Sequence, residues 1–201
     1  KSFDSLHFKK IQALFRQSFN QVVSPAFWQW KYASEQAQAL CVWNEDTLVA
    51  HYGGIPRNIL YFSQPQSAVQ IVDVMVHPSQ RGILTKTGPF FRMAATFLDR
   101  YIGFGKPFLL GFGFPNERAM KLAEHLGLYS EVGKMVNISW PSLPHARPRV
   151  FSQLTVLNKE SAALINPTDF NSLWHKMAKD FKSDLICVRD WEYFQHRYLG
   201  H

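Results

Sequence analysis

A run of apolar residues followed by a basic, hydroxyl-rich loop is the segment of this 201-residue sequence with the clearest capacity for chemistry. The run covers residues 71–76, and the loop at residues 77–87 carries Arg81 and Lys86 before a Gly88-Pro89 pair. Backbone N–H groups of such a loop, with the positive end of a following helix, form a pocket for phosphate. An ordinary strand-to-helix connection in a basic protein fits the same spacing, so both interpretations stay open.

Other motifs that carry chemistry are missing from the sequence. His51, His77, His125 and His175 share no metal-ligand spacing, and no H-E-x-x-H motif occurs. There is no G-x-S-x-G motif, and neither cysteine is followed by a histidine spaced as a catalytic partner. The sequence therefore predicts no metal site and argues against a metalloenzyme or a hydrolase.

Helices and strands alternate around the basic loop. Period-3.6 spacing predicts an amphipathic helix over residues 3–20, and a Ser24-Pro25 start predicts a short aromatic helix to residue 32. The remaining elements predicted up to residue 140 are strands at 40–43, 47–52, 58–62, 68–76, 108–112 and 129–140, and helices at 88–101 and 117–126. This order predicts an α/β (α+β) fold with a mixed, mostly antiparallel central sheet flanked by helices.

Proline and arginine mark a change in the chain after residue 140. We predict a domain at residues 1–140, a Pro/Arg-rich linker at 141–150 and a C-terminal α/β extension at 151–201. The extension carries predicted helices opened by Asn166-Pro167 and by Asp190, with strands at 154–157 and 185–188. Its residues 193–198 align without gaps with the aromatic helix at 27–32. This echo indicates either the start of a second repeat of the domain or a chance match between two aromatic helices.

The net charge restricts the classes of ligand that the protein could bind, and the cysteine content indicates its cellular compartment. The formal net charge is +7, which fits an anionic ligand or partner, but the basic residues are scattered rather than clustered on one helix. We therefore predict no nucleic-acid partner. Cys41 and Cys187 lie in apolar strand-like runs and are predicted to be buried free thiols in a reducing cytoplasm. No apolar run is long enough for a membrane span, so no membrane association is predicted, and the start at Lys1 without Met is consistent with a trimmed chain.

Four segments follow one another along the chain: the aromatic helix Trp28-Gln29-Trp30-Lys31-Tyr32, residues 48–56, residues 73–82, and Gly113-Phe114-Pro115-Asn116 with Ala119, Leu122, Leu126 and Gly127. In this order they resemble the GCN5-related N-acetyltransferases, the GNAT superfamily. In that family a V-x-P strand precedes a Q/R-x-x-G-x-G/A loop and a helix, as Val76-His77-Pro78 precedes Gln80-Arg81-Gly82 here. The resemblance covers residues 3–140 and implies the family's fold and the co-substrate acetyl-CoA, or another acyl-CoA.

The resemblance also implies roles for individual residues. Val74, Met75 and Val76 would offer strand backbone to the pantetheine arm of the co-substrate, and Asn116 corresponds to the family's asparagine that contacts it near that arm. Asn116 is equally suited to a helix cap. The residues that would surround the pyrophosphate are Gln80, Arg81, Gly82, Ile83, Leu84, Thr85 and Lys86.

Two departures from the family pattern concern catalysis. The loop lacks the second and third small residues of the family motif, so it is either rebuilt or two residues short. The family often has a tyrosine that protonates the leaving thiolate, and here Ala123 takes its place. Tyr129 and His125 are the nearest candidates for the acid, and Asp73 stands on the strand where many members hold a carboxylate base. Each has a structural alternative: Tyr129 as a packing residue, His125 as a solvated helix residue, and Asp73 as a buried, hydrogen-bonded acid.

The resemblance implies an acyl-CoA-dependent N-acyltransferase, with acetyl as the default group. The acceptor would be the primary amine of a small molecule or a peptide, and transfer would be direct, in a ternary complex. The alternative is a non-catalytic GNAT-like domain that binds CoA or serves as a sensing or scaffolding half of a tandem protein. A homodimer is compatible with either interpretation.

Overall fold

In the computed structural model, residues 5–81, 85–139, 162 and 165–200 are described. Three of the helices begin at a proline, as the sequence predicted, because proline is well suited to a first helical turn. The helices are α1 (Ser5–Phe19), α2 (Pro25–Lys31), α3 (Pro89–Tyr101), α4 (Glu117–His125), α5 (Pro167–Ala178) and α6 (Trp191–Phe194). The strands are β1 (Gln38–Asn44), β2 (Thr47–Tyr61), β3 (Gln64–Val76), β4 (Leu110–Phe112) and β5 (Leu185–Cys187).

The strands form one mixed sheet with the order β1-β2-β3-β4. β1 and β3 pair with β2 in the antiparallel sense, β4 pairs with β3 in the parallel sense, and β5 is antiparallel to the far end of β2. The predicted fold class, a mostly antiparallel mixed sheet flanked by helices, is confirmed. β5 brings residues from beyond the predicted linker into this same sheet.

β2 is one strand of 15 residues where the sequence predicted two, at 47–52 and 58–62. Gly53, Gly54 and Pro56 resemble strand breakers, yet all three pair with β3. Proline is tolerated in a strand where no ladder bond is required of its nitrogen. Pro56 meets this condition because the β1 pairing ends at Gly54 and the β5 pairing begins at Ile59.

The two faces of the sheet are covered by different helices. Met93, Ala94 and Phe97 of α3 pack into a buried cluster that Val74 and Val76 of β3 also contact. Met75, between those two valines, packs with Leu14 of α1 instead. Because successive side chains of a strand point to opposite faces, α1 and α3 lie on opposite sides of β3. The cluster of Phe8, Val23 and Trp28 joins α1 to α2.

Two local predictions are wrong. Residues 129–139 form no strand, and Val132, Met135, Val136 and Ile138 remain exposed, so the alternating apolar residues have no core surface to cover. Cys41 is exposed rather than buried, because β1 is an edge strand whose alternate residues face outward, while Cys187 is half-buried. Both thiols are free.

The linker at 141–150 and the predicted strand at 154–157 lie outside the described residues. The two echo segments contact each other directly. Trp30 donates an indole hydrogen bond to the carbonyl of His196 at 2.9 Å, and their rings stack. These two residues occupy matching positions in the echo. The start of a second repeat stays a prediction.

Candidate functional site

Asp73 lies at a bulge in the sheet. The register between β2 and β3 shifts between His51 and Gly53, and the Asp73 backbone adopts a φ of 49°. Its carboxylate accepts hydrogen bonds from Lys31 Nζ at 2.8 Å and from Tyr32 Oη at 2.7 Å. The Asp73 side chain is only 6% exposed. The candidate base is therefore held by two donors from the chain itself.

The aromatic helix α2 places both donors. Ser24 caps the helix by accepting a bond from the N–H of Phe27, and Pro25 occupies the first turn. Lys31 and Tyr32 follow at the carboxyl end, with the Lys31 ammonium 5.8 Å from the centre of the Phe27 ring. The Tyr32 ring packs against Trp28 at a centroid distance of 4.5 Å. Burial of the aromatic face of α2 thus fixes the donors over β3.

His51 completes this cluster and was not singled out as a site residue by the sequence analysis. Its ring is fully buried, and Nδ1 lies 2.8 Å from the carbonyl oxygen of Asp73. Since a carbonyl only accepts, Nδ1 carries the hydrogen. Burial lowers the pKa of His51, which keeps the ring neutral, and Nε2 has no hydrogen-bond partner within the described part of the chain. His51 holds the bulge backbone, and a lone histidine in an apolar strand gave no signal of this.

Gly53 leaves room for the Tyr32 hydroxyl. A Cβ atom at Gly53 would lie 2.2 Å from Tyr32 Oη and 2.9 Å from the carbonyl oxygen of Val72. We expect Gly53→Ala to lower the free energy of unfolding by about 1–3 kcal/mol, the usual cost of overpacking. Urea unfolding followed by tryptophan fluorescence measures this. Gly133→Ala is the matched control, because Gly133 has no atom within 4 Å of the added carbon. Equal midpoints for the two variants would contradict the prediction.

β3 and β4 run side by side for only a short distance. Ala68, Val69 and Gln70 pair with Leu110, Gly111 and Phe112, and the β3 residues beyond Gln70 have no β4 partner in the described chain. Val74, Met75 and Val76 lie in this separated part of β3. On the β4 side, the edge of β3 at these three residues therefore has no strand partner among the described residues. An extended ligand arm could pair with this free edge.

The loop after β3 is partly described. Gln80 closes a 3₁₀ turn that begins at Pro78, and Thr85 and Lys86 are exposed before α3. Gly82, Ile83 and Leu84 lie outside the described residues. The amino end of α3 has Gly88 as its N-cap, with no side-chain cap bond, and Pro89 in the first turn. The N-cap residue therefore occupies none of the first N–H groups of α3 with a side-chain bond, and such N–H groups can bind an anion.

Arg81 points toward α1 rather than along the loop. Its Nε donates to the carbonyl of Val76 at 2.9 Å, and one terminal nitrogen donates to the carbonyl of Gln17 at 3.3 Å. The guanidinium therefore joins the end of β3 to the end of α1. A phosphate group would have to share it or displace these bonds.

Asn116 and Ala123 lie on α4. Asn116 is the N-cap, and its Oδ1 accepts a bond from the N–H of Ala119 at 2.9 Å, so the helix-cap interpretation is correct. Ala123 is fully buried and carries no proton donor. His125 ends the helix as an exposed residue. His125, one of the two predicted candidates for the acid, therefore faces solvent.

Tyr129 is half-buried and bonded to a second tyrosine. Its hydroxyl lies 2.5 Å from the hydroxyl of Tyr52, and its ring packs against the cluster that also contacts Val74 and Val76. Burial raises the pKa of Tyr129 to about 12 and raises that of Tyr52 further. Both hydroxyls therefore stay protonated at neutral pH. Asp73 with its donors and Tyr129 lie on the two faces of β3, because Asp73 bonds with α2 and Tyr129 packs with the α3 cluster.

Comparison of the sequence with known protein families gives one match, to the acetyltransferase (GNAT) domain, over residues 2–141. The match covers more than half of the chain and contains β1 to β4 with their flanking helices. The chain belongs to the GNAT acetyltransferase family. Among curated protein sequences, no match was found.

Solved structures with the GNAT fold share little sequence with this chain. A "Putative acetyltransferase" from Agrobacterium tumefaciens str. C58 has a TM-score of 0.51 and 11% identity, over 69% of this chain and 98% of that protein. A "Probable N-Acyltransferase" from Enterococcus faecalis V583 has a TM-score of 0.44 and 15% identity over 60% of this chain. This chain spans only 30% of the length of the Enterococcus protein. The aminoglycoside acetyltransferase meta-AAC0020, from an uncultured soil metagenomic sample, has a TM-score of 0.47 and 13% identity over 69% of this chain and 90% of that protein.

A large cleft lies away from the predicted site, and part of its lining comes from residues after the matched region. It has a volume of about 900 Å³ and is bounded by the outer ends of β2 and β3, the loop at residues 103–107 and α5. None of the predicted site residues lines it. In the described part of the domain, no group of histidine, cysteine, aspartate and glutamate side chains could hold a metal ion, and no helix has the length and apolar character needed to cross a membrane.

Proposed function

We propose that this GNAT domain transfers an acyl group, acetyl by default, from acyl-CoA to a primary amine in a ternary complex. The observation that carries the proposal is the end of the β3–β4 pairing at Gln70–Phe112. It leaves the edge of β3 at Val74, Met75 and Val76 without a strand partner in the described chain, and an extended pantetheine arm would pair there as an added strand. The amino end of α3 and the loop before it would supply N–H groups for the pyrophosphate, and Lys86 would supply charge. Arg81 would add its charge by sharing or exchanging its bonds to the carbonyls of Val76 and Gln17.

In this proposal the general base and the general acid lie on opposite faces of β3. Asp73 takes a proton from the attacking amine on the α2 face, after the Lys31 ammonium has moved or lost its charge. Tyr129 donates a proton to the leaving sulfur in this proposal, although burial, which raises its pKa to about 12, makes the hydroxyl a weaker acid than an exposed tyrosine. The acceptor, a small-molecule amine or a peptide amine, approaches over α2 and the Gly53-Gly54 part of β2. We propose the cytoplasm as the compartment, because the two cysteines are free thiols.

A CoA-binding domain without catalysis is the second candidate. Two observations favour it: Ala123 is buried and carries no donor, and each oxygen of the Asp73 carboxylate already accepts a hydrogen bond, from Lys31 or from Tyr32. In this interpretation the free edge of β3 beyond its pairing with β4 still binds CoA. The two candidates then differ in turnover and not in affinity.

Calorimetric titration of the purified chain with acetyl-CoA and with CoA tests the proposal. We expect binding in the micromolar range, and we expect Arg81→Ala to weaken it by about tenfold, the effect of losing one charged hydrogen bond. Lys121→Ala is the matched control, because Lys121 lies on α4 and pairs with Glu117 in solvent. No binding at high micromolar concentration would overturn both candidates, whereas binding without transfer to any amine would leave only the second.

A further inference from the structure

The amine nearest to the candidate base is supplied by the chain itself. Lys31 Nζ lies 2.8 Å from Asp73 Oδ1, and the two side chains are 21% and 6% exposed. Asp73 precedes Val74, the first of the three residues along which the pantetheine arm is proposed to extend. The Lys31 amine therefore occupies the place beside the carboxylate where an external acceptor amine would have to be deprotonated.

No other described lysine has this setting. Lys121 makes an equally close ion pair, 2.7 Å from Glu117, but the two side chains are 73% and 83% exposed on α4. Lys106 pairs with Asp99 and Lys134 with Glu131, and in each pair at least one side chain is open to solvent. Among the lysines of the described residues, only Lys31 has its carboxylate partner on β3.

We infer that Lys31 is an acyl acceptor in cis, modified on Nζ by the acyl-CoA bound at the same site. This inference rests on the proposed function. It adds a modification site, and it assigns to Lys31 a role beyond its structural ion pair with Asp73.

The transfer balances without a further reagent. The Lys31 ammonium gives one proton to Asp73, which passes it to solvent, and the resulting amine forms a C–N bond with the acyl carbon. The C–S bond of the thioester breaks, and its electron pair stays on sulfur. The second nitrogen proton ends on that sulfur, directly or by way of Tyr129. The products are an amide at Lys31 and the free thiol of CoA.

Acylation would change the state of Asp73. An amide carries no charge, so the ion pair with Asp73 Oδ1 is lost while the hydrogen bond from Tyr32 to Oδ2 remains. Oδ1 then faces only the neutral N–H of the amide, so an external ammonium can compete for it. The modified chain is accordingly the form in which Asp73 can serve an acceptor other than Lys31.

Intact-mass and peptide-mapping mass spectrometry test the inference on the purified chain, incubated with acetyl-CoA and no added amine. We expect one acetyl group per chain, on Lys31, added about 10²-fold faster than on Lys121, the lower end of the range for acid–base assistance. Asp73→Asn should reduce the rate at Lys31 to that at Lys121, while calorimetry still detects acetyl-CoA binding. Lys121→Arg should leave the rate at Lys31 unchanged.

A measurement on the unfolded chain distinguishes uncatalysed chemical acetylation of lysines from acetylation that depends on the folded site. In concentrated urea the rates at Lys31 and Lys121 should become equal, a comparison that holds even if Asp73→Asn fails to fold. Equal rates in the folded chain, with acetyl-CoA binding intact, would overturn the inference and leave the proposed function standing. Absence of acetyl-CoA binding would overturn both.

Discussion

Asp73→Ala is expected to lower the free energy of unfolding by about 3 kcal/mol, at the lower end of the cost of breaking a buried ion pair. The substitution leaves the half-buried Lys31 ammonium without its carboxylate and removes the acceptor of the Tyr32 hydroxyl. The cost lies at the lower end because Lys31 retains some exposure to water. Equilibrium urea unfolding measures the change.

Glu117→Ala is the matched control for this prediction. It breaks an ion pair of nearly the same length, 2.7 Å against 2.8 Å, between exposed side chains of α4. Exposed pairs contribute about 0.2–1 kcal/mol, so the loss should stay below about 1 kcal/mol. If the two variants were destabilised equally, burial of the Asp73 carboxylate would not be the source of its contribution.

Tyr129→Phe is expected to reduce the kcat for acyl transfer by about 10²–10⁴-fold, the contribution of a positioned proton donor. The KM for acyl-CoA should stay close to that of the unmodified chain, because the ring and its packing against the α3 cluster are retained. Steady-state release of the CoA thiol, measured with a primary amine acceptor, gives both constants. Tyr198→Phe serves as a control in which an exposed tyrosine loses the same atom.

A purely structural role for Tyr129 gives a different result. Tyr129→Phe leaves the buried Tyr52 hydroxyl without its bonding partner, which costs about 1–3 kcal/mol of stability. The double variant Tyr52→Phe/Tyr129→Phe removes both hydroxyls and should recover most of that loss. If kcat recovers together with stability, Tyr129 is not the proton donor.

The helices could be predicted from local signals, and the strand ends could not. Pro25, Pro89 and Pro167 each open a helix where the sequence predicted one, because proline restricts the backbone of a first turn. The predicted strand at 129–140 is absent from the described residues because alternation specifies a strand only where a partner and a core face exist. The residues near 129–140 in the sequence do not reveal whether a partner strand lies beside them in the fold.

Contacts between residues far apart in the sequence were also missed at the candidate site. The family resemblance pointed to Asp73, but its two donors lie 42 and 41 residues away along the chain. The sequence predicts the aromatic helix and the central strand separately, and only their packing reveals that Lys31 and Tyr32 meet the carboxylate. His51 was missed for a related reason: its contact is with the backbone of Asp73, which no residue type encodes.

The pairing of β5 with the outer end of β2 protects a strand edge. Ile59, Leu60 and Tyr61 lie in register with β3 on one side and with Cys187, Ile186 and Leu185 on the other. A chain shortened before residue 185 would leave the backbone groups that face β5 without partners, among them the Asn58 carbonyl, which accepts a bond from the Val188 N–H. Open, apolar strand edges recruit strands from other molecules. The short β5 therefore opposes self-association by covering this edge. Its removal would lead to aggregation through an edge that is remote from Asp73.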